Sequence, residues 1–229
     1  METPATTAPA DAGAIPRLER MVLDRLFGEQ SYAFDLYEGT VVNAADTRII
    51  YLSADIIRGI YEALNFEAGD AWRIILKTCG TLWGQRMARS MEREVTALTS
   101  REWQQFSVSE YVDLLEGYFS RHGWGKAKIH LEDAASHGII RMSMTHSLFA
   151  TALNHVEGPV DYMVAGMLKG LFEAISGQTL DALEVQSPRR DAAPSCEFLV
   201  SAVDRIAAIE PLVGEGLPLE EILDRLRQT

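Results

Sequence analysis

The chain is poor in cysteine: Cys79 and Cys196 are the two in 229 residues. Two thiols so far apart in sequence cannot build a disulfide framework, and no signal-peptide pattern precedes them, so a reducing cytoplasm is the expected setting. Long apolar runs are also missing. The longest candidate, around Val160–Ile175, is interrupted by Asp161, Lys169 and Glu173, short of the roughly 18 residues a membrane span needs. Nor is there a Lys/Arg cluster. With a net charge of -12, a nucleic-acid partner or an anionic membrane surface is not expected, since phosphate groups need local positive charge. Phosphate loops, dinucleotide fingerprints, nucleophile elbows and H-E-x-x-H are absent. The five histidines, 122, 130, 137, 146 and 155, show no metal-ligand spacing among themselves.

What remains is an ordinary globular composition, 47% hydrophobic and 24% charged, in a chain long enough to bury about 70–75% of its unfolded surface. Residues 1–16 are rich in Ala, Pro and Thr without apolar period and read as a disordered tail. Residues 17–229 read as one domain. A short amphipathic helix is expected from Arg17 to Gly28, carrying Leu18, Met21, Val22 and Leu26 on one side. Ser53 marks a helix start for Ala54–Leu64. The longest helical pattern runs from about Ala68 to Leu98, with Trp72, Ile75, Leu76, Cys79, Leu82, Trp83 and Met87 as its stripe. Gly80 and Gly84, one turn apart, would let a helix or a ligand approach closely. Ser107 and Glu110 form a capping box that opens a helix to about His122.

After Trp124 the period shortens to two: Ala127, Ile129 and Leu131, a turn over 133–138, then Ile140, Met142 and Met144 predict an antiparallel hairpin. A short helix over 148–154 follows. Gly158-Pro159 is expected to start a helix apolar nearly all round and stopped by Gly177. A second hairpin, 179–186 and 196–202, and two helices, 203–209 and 219–226, close the chain. The plan is α+β: helices packed on one face of a four-stranded antiparallel sheet made of two hairpins flanking a buried helix.

Trp72, Trp83, Met142, Met144, Met163 and Met167 read either as core or as the wall of a hydrophobic pocket, for which methionine is well suited. His146 and His155 flank the short helix and are candidate pocket residues, including as axial ligands of a tetrapyrrole; a hydrogen-bonded or surface role is the commoner fate. Cys196 shares its strand face with Phe198 and Val200, which is the pattern of a core thiol.

The segment from Gly123 to Ala202 resembles the 4-vinyl reductase domain family, with 120–202 as the most family-like part. The resemblance is carried by GPVDYMVAGMLKGLFEAISG, by the strand holding Glu184, and by Ser195–Phe198. It implies a small hydrophobic ligand, a homodimer, and a role like that of members in bacteriochlorophyll and chlorophyll synthesis, in photosystem assembly, or in aromatic-responsive activators. It also implies similarity to vesicle-tethering subunits that hold an acyl chain. The aromatic sensors hold a structural zinc by a Cys, a Glu-x-x-Cys and a last Cys; the matching positions are Asp161, Glu184, Ser187 and Cys196. That set is degenerate and poor for structural zinc. Three readings follow. One is a binding module for a tetrapyrrole or chlorophyll precursor. The second is a non-catalytic scaffold with a vestigial pocket and a protein partner in pigment or photosystem assembly. The third is a vinyl-group reductase, for which no nicotinamide or flavin motif is seen.

Overall fold

The computed structural model describes residues 18, 20–28, 31–43 and 46–228. The tail assigned to 1–16, and Arg17 as a helix start, lie outside the described residues. In chain order the elements are α1 (Arg20–Phe27), β1 (Tyr32–Asp35), β2 (Thr40–Asn43), α2 (Ala54–Ala68), α3 (Trp72–Thr99) and α4 (Val108–Arg121). Then come β3 (Lys126–His130), α5 (Ala134–His137), β4 (Ile140–Thr145), α6 (Leu148–Ala152) and α7 (Tyr162–Ser176). The last are β5 (Leu180–Gln186), α8 (Pro188–Asp191), β6 (Cys196–Ala202), α9 (Val203–Gly214) and α10 (Leu219–Gln228).

The two expected hairpins join into one antiparallel sheet of order β3-β4-β6-β5. The β4–β6 register sets Met144 opposite Cys196 and Met142 opposite Phe198. These four side chains share one face with Ala127, Ile129, Val200 and Ala182, packed in the main core with α3, α4 and α7. The fold is α+β as expected, but helices cover both faces rather than one. Leu183, Val185 and Leu199 are apolar on the opposite face, so that side must be buried too. Ile206, Ile209 and Val213 of α9 and Ile222, Leu223 and Leu226 of α10 do this, forming a second core.

The α3–α7 contact is closed by reciprocal glycines. A Cβ on Gly80 or Gly84 would lie 2.1 or 2.2 Å from the carbonyl oxygens of Met163 and Met167. One on Gly166 or Gly170 would lie 2.0 Å from the carbonyl oxygens of Lys77 and Thr81. Both small-residue pairs serve this contact within the chain. The α3 stripe turns accordingly: Trp72, Leu76, Gly80, Gly84, Met87, Met91 and Val95 are buried. Cys79 is exposed and Leu82 is 52% exposed, against the expectation for both. On α1, Leu26 is buried as expected while Met21 is exposed.

Several ends move for local reasons. Helix α2 runs to Ala68, where Gly69 at φ 51° breaks it from α3. Helix α7 starts at Tyr162 instead of Pro159, because the amides of Val160 and Asp161 are held by Glu184. Helix α9 continues through Pro211 to Gly214, where Val213 still packs into the second core. The hairpin β1–β2 has no counterpart in the sequence reading. It is tied down by a buried ion pair: Arg121 Nη1 lies 2.9 Å from Glu94 Oε2, and Arg121 Nε donates to Tyr32 Oη at 2.7 Å. Asn43 Nδ2 donates to the other Glu94 oxygen.

Candidate functional site

Glu184 sits on β5 just before a bulge in its pairing with β6. Cys196 opens β6, and Asp161 precedes α7. Their ligand atoms lie within 4.8 Å of one another, and all three residues are buried. Asp161 Oδ1 accepts from Ser147 Oγ at 2.7 Å. Glu184 Oε2 accepts from the amides of Val160 and Asp161 at 3.1 and 3.0 Å. Asp161 Oδ2 and Glu184 Oε1 are buried without a hydrogen-bond partner. Burial pushes the Asp161 carboxyl up to about 6, against the opposing pull of Ser147 and Cys196. Burial, and then the charge of Asp161, raise Glu184 well above the usual carboxylate range. Burial and both neighbouring carboxylates raise the Cys196 thiol, so it stays protonated and is no nucleophile.

Three of the four sequence-expected positions therefore converge. The fourth, Ser187, caps α8, its hydroxyl accepting from the Arg190 amide at 3.3 Å. Two orphaned carboxylate oxygens and a thiol are a donor set that fits one divalent cation. Asp161, Glu184 and Cys196 would hold it, and Cys196 would give up its proton to do so. Such a cation would offset two buried carboxylates and fix the start of α7 to β5 and β6. It would not be the four-coordinate Cys/His site typical of structural zinc.

The expected hydrophobic pocket is distributed otherwise. Trp72 is packed edge-on between Tyr61 and Tyr162, with ring centroids at 5.0 and 5.2 Å. Trp83 lies against Trp124. Met142, Met144 and Met167 are buried in the core, and Met163 is partly buried against it. His146 and His155 are exposed; His146 holds φ 57° in a turn and His155 meets the edge of Tyr61. Neither of these two histidines lines the cleft beside the α3–α7 contact. The glycine contacts leave no room for a ligand between α3 and α7.

An open cleft of about 770 Å³ lies beside that contact, walled by α3, α7, β5, α8 and α9. Glu184 reaches its edge, along with Pro159 and Tyr162; none of the eight pocket residues expected from sequence lines it. Arg73, Lys77, Lys169 and Arg190 bring four cations to its wall, and Asp70, Asp181, Glu184 and Glu210 four carboxyl groups. Lys77 Nζ is 2.9 Å and Lys169 Nζ 3.7 Å from the same oxygen, Asp181 Oδ1. The sequence signal for this is Lys169, which with Glu173 interrupts the largely apolar α7, but its partners come from two other elements.

No family model and no curated protein matches the chain. Among solved structures, the phenol-responsive sensory domain of the transcription activator PoxR with phenol is similar over 87% of this chain and 97% of that one, at 17% identity and TM-score 0.66. A trafficking protein particle complex subunit 3 from Naegleria fowleri, covalently bound to palmitic acid, aligns with 65% of this chain and 91% of its own, at 12% identity and TM-score 0.49. A vinyl-4-reductase family protein from Methanocaldococcus jannaschii aligns with 68% of this chain and 85% of its own, at 15% identity and TM-score 0.46. The last two similarities are too loose to argue from. The chain has an α+β fold similar to that of the PoxR sensory domain.

Proposed function

We propose that this chain is a small-molecule-binding module whose ligand occupies the cleft between α3, α7, β5 and α9. The carrying observation is the cleft itself. Its volume of about 770 Å³ is that of a ligand site, and its walls mix apolar surface with a few convergent charges. Similarity to a sensory domain described with phenol supports the reading. A tetrapyrrole or chlorophyll precursor is its finer form, in pigment biosynthesis or photosystem assembly. That form rests on the sequence resemblance, and on the match between a macrocycle bearing carboxylates and walls that combine Tyr162 with lysines.

The test is extraction of the purified protein with mass spectrometry, followed by thermal shifts with protoporphyrin IX and a panel of neutral aromatics. Binding raises the melting temperature. Thr78 is exposed on the cleft wall, so Thr78→Trp is expected to abolish the shift without unfolding the protein. If nothing is extracted and no probe shifts the transition, the proposal fails. A second reading, a homodimer or assembly factor, is favoured by exposed Phe34, Leu36, Tyr37, Tyr51 and Phe66; sedimentation of the purified chain tests it.

A further inference from the structure

Resting on the reading of the cleft as the ligand site, we propose that the cleft selects an organic anion with an apolar body, seating one of its carboxylates on Lys77 and Lys169. Both ammonium groups lean on one carboxylate, and both are half-buried, with side chains 26% exposed. Asp181 Oδ1 also accepts the Ala182 amide at 2.8 Å. One carboxylate thus serves two cations and a backbone donor in a partly dehydrated setting, and neither ammonium has a second ion pair among the described residues, Glu210 of the same wall included. A ligand carboxylate completes a neutral set of two ammoniums and two carboxylates, with charge-assisted hydrogen bonds to donors already in place.

The other two cations on the wall are committed elsewhere. Arg73 Nη1 is paired with Asp70 at 2.8 Å. Arg190 donates to the carbonyls of Val185 and Val213 and pairs with Asp191. The lysine pole is therefore where a new anion gains most. Glu184 lies three residues beyond Asp181 on β5, about 10 Å away, and Pro159 and Tyr162 line the cleft with it. A ligand that neutralises the lysines lays its apolar body toward Tyr162.

Calorimetric titration of the full chain with 1-naphthoate and with its neutral counterpart 1-naphthalenemethanol tests this. The acid is expected to bind about ten-fold tighter, the yield of one charge-assisted hydrogen-bonding group, and less so as salt is added. The double variant K77M/K169M is expected to erase that preference while retaining the alcohol. Asp181→Asn, which keeps an acceptor for Ala182 and removes the competing charge, is expected to raise naphthoate affinity several-fold, a change of sign that unfolding cannot produce. Equal affinities, or a preference that survives the double variant, overturn the anion selectivity and leave the cleft reading standing. Failure of both probes to bind overturns the two together.

Discussion

Glu184 commits one carboxylate oxygen to two backbone amides and leaves the other facing Asp161 and Cys196. Glu184→Gln preserves the acceptor and gives the orphaned Asp161 oxygen a donor. In chelator-treated protein it is expected to raise stability by about 1 kcal/mol in urea denaturation, because a hydrogen bond replaces a desolvated repulsion. A loss of stability that appears only when zinc is added back shows a cation on this cluster. The positions Asp161, Glu184 and Cys196 were legible in the sequence, because a resemblance preserves spacing around two strand ends. Ser187 was not, since nothing in the spacing says that its hydroxyl would cap a four-residue helix. His146 and His155 flank a helix, a position that does not tell inside from outside; both are exposed, and His146 sits in a left-handed turn.

Elements carried more of the message than single residues. The capping box at Ser107–Glu110 is present as expected, with Arg101 added from outside the helix: Arg101 Nη1 lies 2.6 Å from Glu110 Oε1. The Arg101 guanidinium holds Glu110 down to about 2 from 4.5. A depressed acid stabilises the fold above its unfolded value, so this contribution is complete above about pH 4.5 and is lost as the pH falls toward 2. With Arg101 half-exposed and screened, about 1–2 kcal/mol is at stake; in Glu110→Gln, acid titration of stability should lose that much slope. In the α3–α7 pair, Gly80→Ala forces a Cβ onto a backbone oxygen. A loss of about 3 kcal/mol is expected by chemical denaturation, while Gly59→Ala on α2, where the added carbon meets nothing, should be neutral or stabilising. Apolar period revealed α3 and the first sheet hairpin, the capping box revealed α4, and an apolar run between Gly158-Pro159 and Gly177 revealed α7. None of these could reveal β1–β2, whose Ala33 and Phe34 are exposed and whose anchor, Glu94 with Arg121, is polar and distant in sequence.

Over the whole molecule, the sheet divides two cores. One is the large cluster around Phe198 and Met142; the other is the smaller one that α9 and α10 lay on Leu183 and Leu199. Leu199 and Phe198 are neighbours on β6, so the two cores share a strand. Leu223→Ala is expected to cost about 3 kcal/mol and to shift one cooperative transition, followed equally by tryptophan fluorescence and far-ultraviolet dichroism. Two separated transitions would show that the cores unfold independently. The second core was legible as amphipathic helices but not as a second layer, because Leu183 and Val185 read equally well as one more strand of a one-sided sheet.

The interlocked glycines also decide what kind of message a filled cleft can send. Sliding α7 along α3 by one turn, about 5.4 Å, would put Tyr162 where Gly166 now lies against the Lys77 carbonyl, so the pair cannot act as a piston. It is a fixed jaw. Widening of the cleft must fall on the opposite jaw, where β5 meets α9. Because α9 and α10 share the second core, ligand entry would be felt at Leu219–Gln228, on the far side of the sheet from the buried helix.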